Sequence, residues 1–153
     1  MSLWRKILFT VFVLVIVLQF IRPEHNNKTT QSLDITKAYT VPTNIQAILK
    51  NSCYDCHSNS TRYPWYTYIQ PLGWWMASHI REGKSELNFD EFGDYSPRRQ
   101  KSKIKAIAES IKDETMPLPS YTLVHRSAKL SENDKKLLIQ WLEKIQNHSF
   151  KKN

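Results

Sequence analysis

Cysteine is nearly absent from this chain: there are two in 153 residues. Two thiols cannot build a multi-bridge disulfide framework or a four-thiolate zinc site, so Cys53 and Cys56 must act locally. No segment alternates as a half-buried strand would, and no internal repeat is present, which leaves an all-α class. Aliphatic residues are scarce outside the first two dozen positions, whereas all seven Tyr and most of the five Trp lie beyond them. A domain so short of ordinary core material can take part of its interior from a large apolar group. The charge balance is basic, 22 Lys and Arg against 14 Asp and Glu, for a net charge of +8. No nucleic-acid motif accompanies it, so nucleic acid is not the expected partner. Arg98, Arg99, Lys101, Lys103 and Lys105, interrupted by Ile104, read as the wet side of a helix, either simply solvated or docking an acidic redox partner.

The first residues form a separate region. Arg5 and Lys6 precede an uncharged run from Ile7 to Ile21, about 15 residues and near the lower limit for crossing a bilayer. Counting Leu3 and Trp4, with the two cations reaching the headgroups, lengthens it. The segment that follows, Gln19 to His25, offers no small-residue cleavage site, so an uncleaved anchor is expected rather than a removed signal peptide. The chain therefore divides into a transmembrane helix over 1–22, a polar tether over 23–41 and a helical domain over 42–148. The positive flank predicts a cytoplasmic N-terminus, with the domain on the exported, periplasmic side of an inner membrane.

Within 42–148, Pro42-Thr43 opens a helix whose apolar face is Ile45, Ile48 and Leu49, and which runs into Cys53. A second helix begins at Pro71 and passes Trp74, Trp75, Met76 and His79 toward Gly83. Ser96-Pro97 starts a third, with Ile104, Ile107, Ala108 and Ile111 as its stripe. Two prolines keep Met116-Pro-Leu-Pro119 out of regular helix. Ser131 caps the last helix, with Asp134 placed for a reciprocal contact.

Cys53-Tyr-Asp-Cys56-His57 carries the chemistry. In Cys-x-x-Cys-His each thiol can add to one haem vinyl group, and the spacer in a helical turn sets both sulfurs along one edge. The following imidazole then meets the iron. A thioredoxin-like dithiol needs a βαβ context that is missing. Zinc needs four ligands, and no second close-spaced pair exists. A structural disulfide across so short a loop stabilises little. The expected cofactor is one covalently bound haem c, with His57 as proximal iron ligand. Met116, in its proline-braced loop, is the expected distal ligand, with His79 as the alternative. Bis-His ligation would lower the potential relative to His/Met. His25, His125 and His148 read as solvent residues. Tyr63, Trp65, Tyr66, Tyr68, Trp74, Trp75 and Tyr121 are available to pack on the macrocycle, and Arg62 and Arg81 to pair with its propionates. His57 should donate its second ring N–H to a carbonyl near Pro64 or Pro71.

Asn51-Ser-Cys-Tyr-Asp-Cys-His-Ser58, Arg62-Tyr-Pro-Trp-Tyr66, Ile69-Gln-Pro71, Trp74-Trp75 and Met116-Pro-Leu-Pro-Ser-Tyr121 together resemble the haem-binding-domain family. The resemblance spans about residues 42–146 and implies a cytochrome c-like fold and a c-type haem. It carries Cys53, Cys56 and His57 over directly and Met116 as distal ligand. The aromatic stretch from Tyr63 to Trp75 and the insert Asn88-Phe-Asp-Glu-Phe-Gly-Asp94 depart from ordinary small cytochromes c. The family's name describes binding, so the role rests on the residues. Electron transfer between ferrous and ferric iron, without enzymatic turnover, is the leading expectation. A peroxidase-like enzyme using His79 or His125 above an open iron, and a gas sensor in which a ligand displaces Met116, are the alternatives.

Overall fold

The computed structural model describes residues 2–28 and 33–150, the last three of these for backbone alone. The side chain of His148 and the tether residues Thr29, Thr30, Gln31 and Ser32 therefore lie outside the described residues. Among the described residues all the regular structure is helical, with one isolated bridge between Asn27 and Ser60 and no strand. Eight α-helices run in order: α1 Leu3–Leu18, α2 Ile35–Ala38, α3 Thr43–Ser52, α4 Tyr54–His57, α5 Leu72–Glu86, α6 Pro97–Lys112, α7 Pro119–Val124 and α8 Glu132–Phe150. Three 3₁₀ turns, Trp65–Tyr68, Phe89–Asp94 and Arg126–Ala128, join them.

The expected transmembrane helix is not found. Among the described residues no helix is long and apolar enough to cross a membrane. Helix α1 has 16 residues, roughly 24 Å at 1.5 Å per residue, against a hydrocarbon core of about 30 Å. The sequence count ran on to Ile21, but the helix stops at Leu18 because Gln19 turns toward the domain. Its Oε1 accepts the Gln70 backbone N–H at 2.8 Å, and its Nε2 donates to the Val15 and Gln70 carbonyls at 3.0 and 3.3 Å. The Trp74 indole then donates to the Ile21 carbonyl at 2.8 Å.

The stretch expected as a tether is packed where it is described. The Asn26 side chain donates to the Ser58 carbonyl and to Thr61 Oγ1, while its Oδ1 accepts from Lys84 Nζ at 2.7 Å. His25 stacks on Tyr63 with ring centroids 4.2 Å apart. Ile35 is wholly buried in the main core, and Asp34 caps α2 by accepting the Thr36 N–H at 2.7 Å. Tyr39 and Val41 pack against the same core, so a stretch polar in composition carries three apolar anchors.

Local signals explain the remaining helices. Ser96 accepts the Arg99 N–H at the start of α6, where Pro97 occupies the first turn. Ser131 and Asp134 exchange hydrogen bonds, Asp134 N–H to Ser131 Oγ and Ser131 N–H to Asp134 Oδ2, both 3.1 Å, closing a capping box before α8. Helix α6 ends in a Schellman motif: the Glu114 N–H meets the Ile111 carbonyl and the Thr115 N–H the Ser110 carbonyl. Glu114 takes the left-handed position with φ 56°, a conformation that glycine adopts more easily.

Two apolar clusters result. The larger holds thirteen buried residues, among them Ile35, Leu49, Phe89, Phe92, Ile104, Leu138 and Leu142, between α3, α6 and α8. The insert around Asn88 thus supplies two core phenylalanines. The smaller cluster holds four, Met76, Ile80, Tyr121 and Ala128, with Cys56, Tyr63 and Leu118 packed against it.

Candidate functional site

A crevice separates the two clusters. It consists of two adjoining cavities of about 240 and 280 Å³. Ser52, Cys53, His57, Glu86, Met116 and Pro117 line both. One cavity abuts the large cluster through Phe89, Ile107, Ile111 and Leu130, and the other abuts the small one through Cys56, Leu118 and Tyr121. The fold therefore brings Cys53, Cys56, His57 and Met116 to one apolar cleft, although 59 positions separate His57 from Met116 in the chain.

Cys53 ends α3 and opens α4, so the motif is a helical turn: the Cys56 and His57 N–H groups both donate to the Cys53 carbonyl, at 3.2 and 3.0 Å. Cys53 and Cys56 are half-buried free thiols. Burial pushes the Cys53 thiol up to about 12, with Cys56 adding to it, and the Cys56 thiol up to about 11, with Asp55 adding to it. Such thiols stay neutral at neutral pH, unlike the low-pKa thiol of a redox dithiol. Among the described residues no group of three or more His, Cys, Asp or Glu is set to hold a metal ion.

The His57 imidazole is fixed by α5. Its Nδ1 lies 2.9 Å from the Gly83 carbonyl and 3.0 Å from the Leu87 carbonyl. Carbonyls only accept, so Nδ1 carries the proton and Nε2 keeps its lone pair. Burial also lowers the pKa of His57, which favours the neutral, ligating form. A carbonyl acceptor was expected near Pro64 or Pro71; it comes instead from the end of α5. That approach depends on Gly83, because a Cβ there would lie 2.7 Å from the Cys56 carbonyl oxygen. The glycine inside a helical pattern was the available signal, but its reason is visible only in three dimensions.

Asp55, the second residue between the cysteines, was not singled out from sequence. It is buried and accepts from three directions: Tyr121 Oη at 2.7 Å, Arg62 Nε and Nη2 at 3.1 Å each, and the Arg62 N–H at 3.2 Å. Arg62 is thus committed to the motif turn, and the ion pair raises its pKa further.

Met116 follows the Schellman motif, its N–H donating to the Ser110 carbonyl at 3.2 Å, and it remains 38% exposed at the cleft. His79 lines one of the two cavities, with Nδ1 donating to the Trp75 carbonyl at 2.9 Å. His79 sits on α5, the helix that already backs His57. His125 stacks on Tyr121 with centroids 4.3 Å apart and hydrogen-bonds Tyr66; it is not among the residues lining either cavity. At the rim, Lys103 pairs with Glu86 at 3.1 Å.

The donors suit a haem: two neutral thiols on one turn, a neutral imidazole with a free Nε2, a thioether in the same cleft, and apolar walls on both sides. Comparison with curated proteins and with solved structures gives no match. The family model described as "Haem-binding domain" matches residues 13–144. With most of its length matched, and with a cleft whose donors suit the group the family is named for, the chain belongs to the haem-binding domain family.

Proposed function

We propose that this is a mono-haem c-type cytochrome that carries electrons, with haem joined covalently to Cys53 and Cys56 and its iron held between His57 and Met116. The observation that carries the reading is the His57 imidazole, whose Nδ1 is occupied by two carbonyls while the ring lines the cleft that Met116 also lines. When bound, the haem supplies a one-electron couple whose potential the axial ligands and burial tune. The chain's own contribution is rigidity. Helix α5 holds the imidazole plane, the Ser110 carbonyl and two prolines hold the Met116 backbone, and the two apolar clusters exclude water.

Met116 is favoured over His79 because α5 lies on the side of His57, so a distal ligand must approach from elsewhere. An electron carrier is favoured over a peroxidase because Met116 lines the same cleft as His57 and would occupy the iron position that peroxide needs, while His125 lines neither cavity. The basic face of α6, with Lys103 at the cleft rim, fits an acidic redox partner. Thioether formation needs an exported compartment, which is the location we assign.

In the ferric protein the expected spectrum is low-spin, with the weak far-red sulfur-to-iron charge-transfer band. Met116→Ala should abolish that band. Its persistence in the variant would show that another residue is the distal ligand.

A further inference from the structure

We infer that Tyr121 and Asp55 are positioning residues that strap the Met116 loop across the cleft, so that iron ligation by Met116 depends on a hydrogen bond to the motif turn itself. The inference rests on the proposed His57/Met116 ligation and adds to it. Met116 is 38% exposed, so core packing alone does not fix its side chain. On its N-terminal side the loop is held by the Ser110 carbonyl, which accepts from Thr115 and Met116 at 3.0 and 3.2 Å. On its C-terminal side Pro117 and Leu118 lead into α7, whose Tyr121 is only 7% exposed.

The Tyr121 hydroxyl donates to Asp55 Oδ2 at 2.7 Å, across 66 residues. Asp55 lies between the two cysteines, so the bond ties the loop to the turn that would hold the haem edge. The acceptor is ionic and already oriented by Arg62 at 3.1 Å through both Nε and Nη2. Hydrogen bonds to charged, partly buried groups are the strong ones. Leu118 packs with Tyr121 on the small cluster, so the strap also has an apolar seat. The neighbouring tie, His125 to Tyr66, runs to the Trp65–Tyr68 turn and leaves the motif untouched.

The test is cyanide binding to the ferric, haem-loaded full chain, read together with the far-red band. Tyr121→Phe keeps the ring that stacks on His125 and removes only the hydroxyl. It should weaken the band and raise cyanide affinity on the order of tenfold, the scale of one hydrogen bond to a charged group. Tyr66→Phe, which cuts the neighbouring tie, should stay within about twofold of the parent, inside the spread of additive surface changes. Met116→Ala should bind cyanide more tightly than either. A Tyr121→Phe protein with parental affinity and band, beside a Met116→Ala protein that binds more tightly, overturns the strap and leaves the ligation reading standing. A Met116→Ala protein with parental affinity overturns the ligation reading instead. Should Tyr121→Phe fail to load haem, the ferrous parent decides: the Tyr121 hydroxyl proton should exchange slowly with solvent in its nuclear magnetic resonance spectrum, and a rapidly exchanging one overturns the strap.

Discussion

The larger apolar cluster, between α3, α6 and α8, buries thirteen residues, whereas the smaller one, under α5 and α7, buries four, and both give walls to the cleft. Both belong to one short domain, yet only the first has the content of an ordinary core. The second relies on whatever fills the cleft. A binding site has thus been made by leaving an interior unfinished, and the cleft is the missing part of a core as much as it is a pocket.

Removing the cofactor should therefore divide the domain unevenly. In a Cys53→Ala/Cys56→Ala chain that acquires no haem, amide protons of α6 and α8 should stay protected while those of α5 and α7 exchange at nearly unfolded rates. Uniform protection across all four helices would break the comparison. Within the self-sufficient cluster, Leu138→Ala should cost about 2–5 kcal/mol, since Leu138 is fully buried and the cavity cannot collapse freely. Urea unfolding of the haem-loaded protein measures this, and a loss below about 1 kcal/mol would show that the cluster is looser than its burial implies.

At the boundary between the regions, Gly83→Ala forces a Cβ to within 2.7 Å of the Cys56 carbonyl oxygen. Moving α5 away from that backbone oxygen should cost about 1–3 kcal/mol and disturb the His57 carbonyl contacts. A proton resonance of His57 Nδ1–H that is unchanged in the variant would contradict this. The smallest effect concerns pH in the haem-free chain. Burial holds the pKa of His57 below its ordinary 6.5 in the folded state. The unfolded chain then binds the proton first, so this stability is fully present above about 6.5 and is lost as the pH falls through the folded value. Urea midpoints should fall between pH 8 and pH 5 in that chain, and His57→Gln should flatten the fall.

Much of this was legible in the sequence because the signals were local. The motif turn, Ser96-Pro97, the Ser131 and Asp134 capping box and the stripe of α6 each depend on residues a few positions apart. Features set by distant partners were not legible. Gln19 ends α1 by bonding to Gln70, so an apolar run that counts as nearly a membrane span yields a helix of 16 residues. Ile35, Tyr39 and Val41 are scattered through a polar stretch, and only the packed fold shows Ile35 wholly buried with the other two against the same core. The carbonyls on His57 come from α5 because Gly83 permits a close approach, which no pattern around Pro64 or Pro71 announces. Asp55 reads as a variable spacer until Tyr121 and Arg62 are seen to converge on it.

The most direct measurement is the intact mass of the full chain purified from a host able to mature c-type haem, paired with extraction in acidified organic solvent. A mass greater than the polypeptide by one haem, with the colour staying on the protein, is the predicted result. A colourless protein, or one whose pigment washes into the solvent and leaves the bare polypeptide mass, would contradict it.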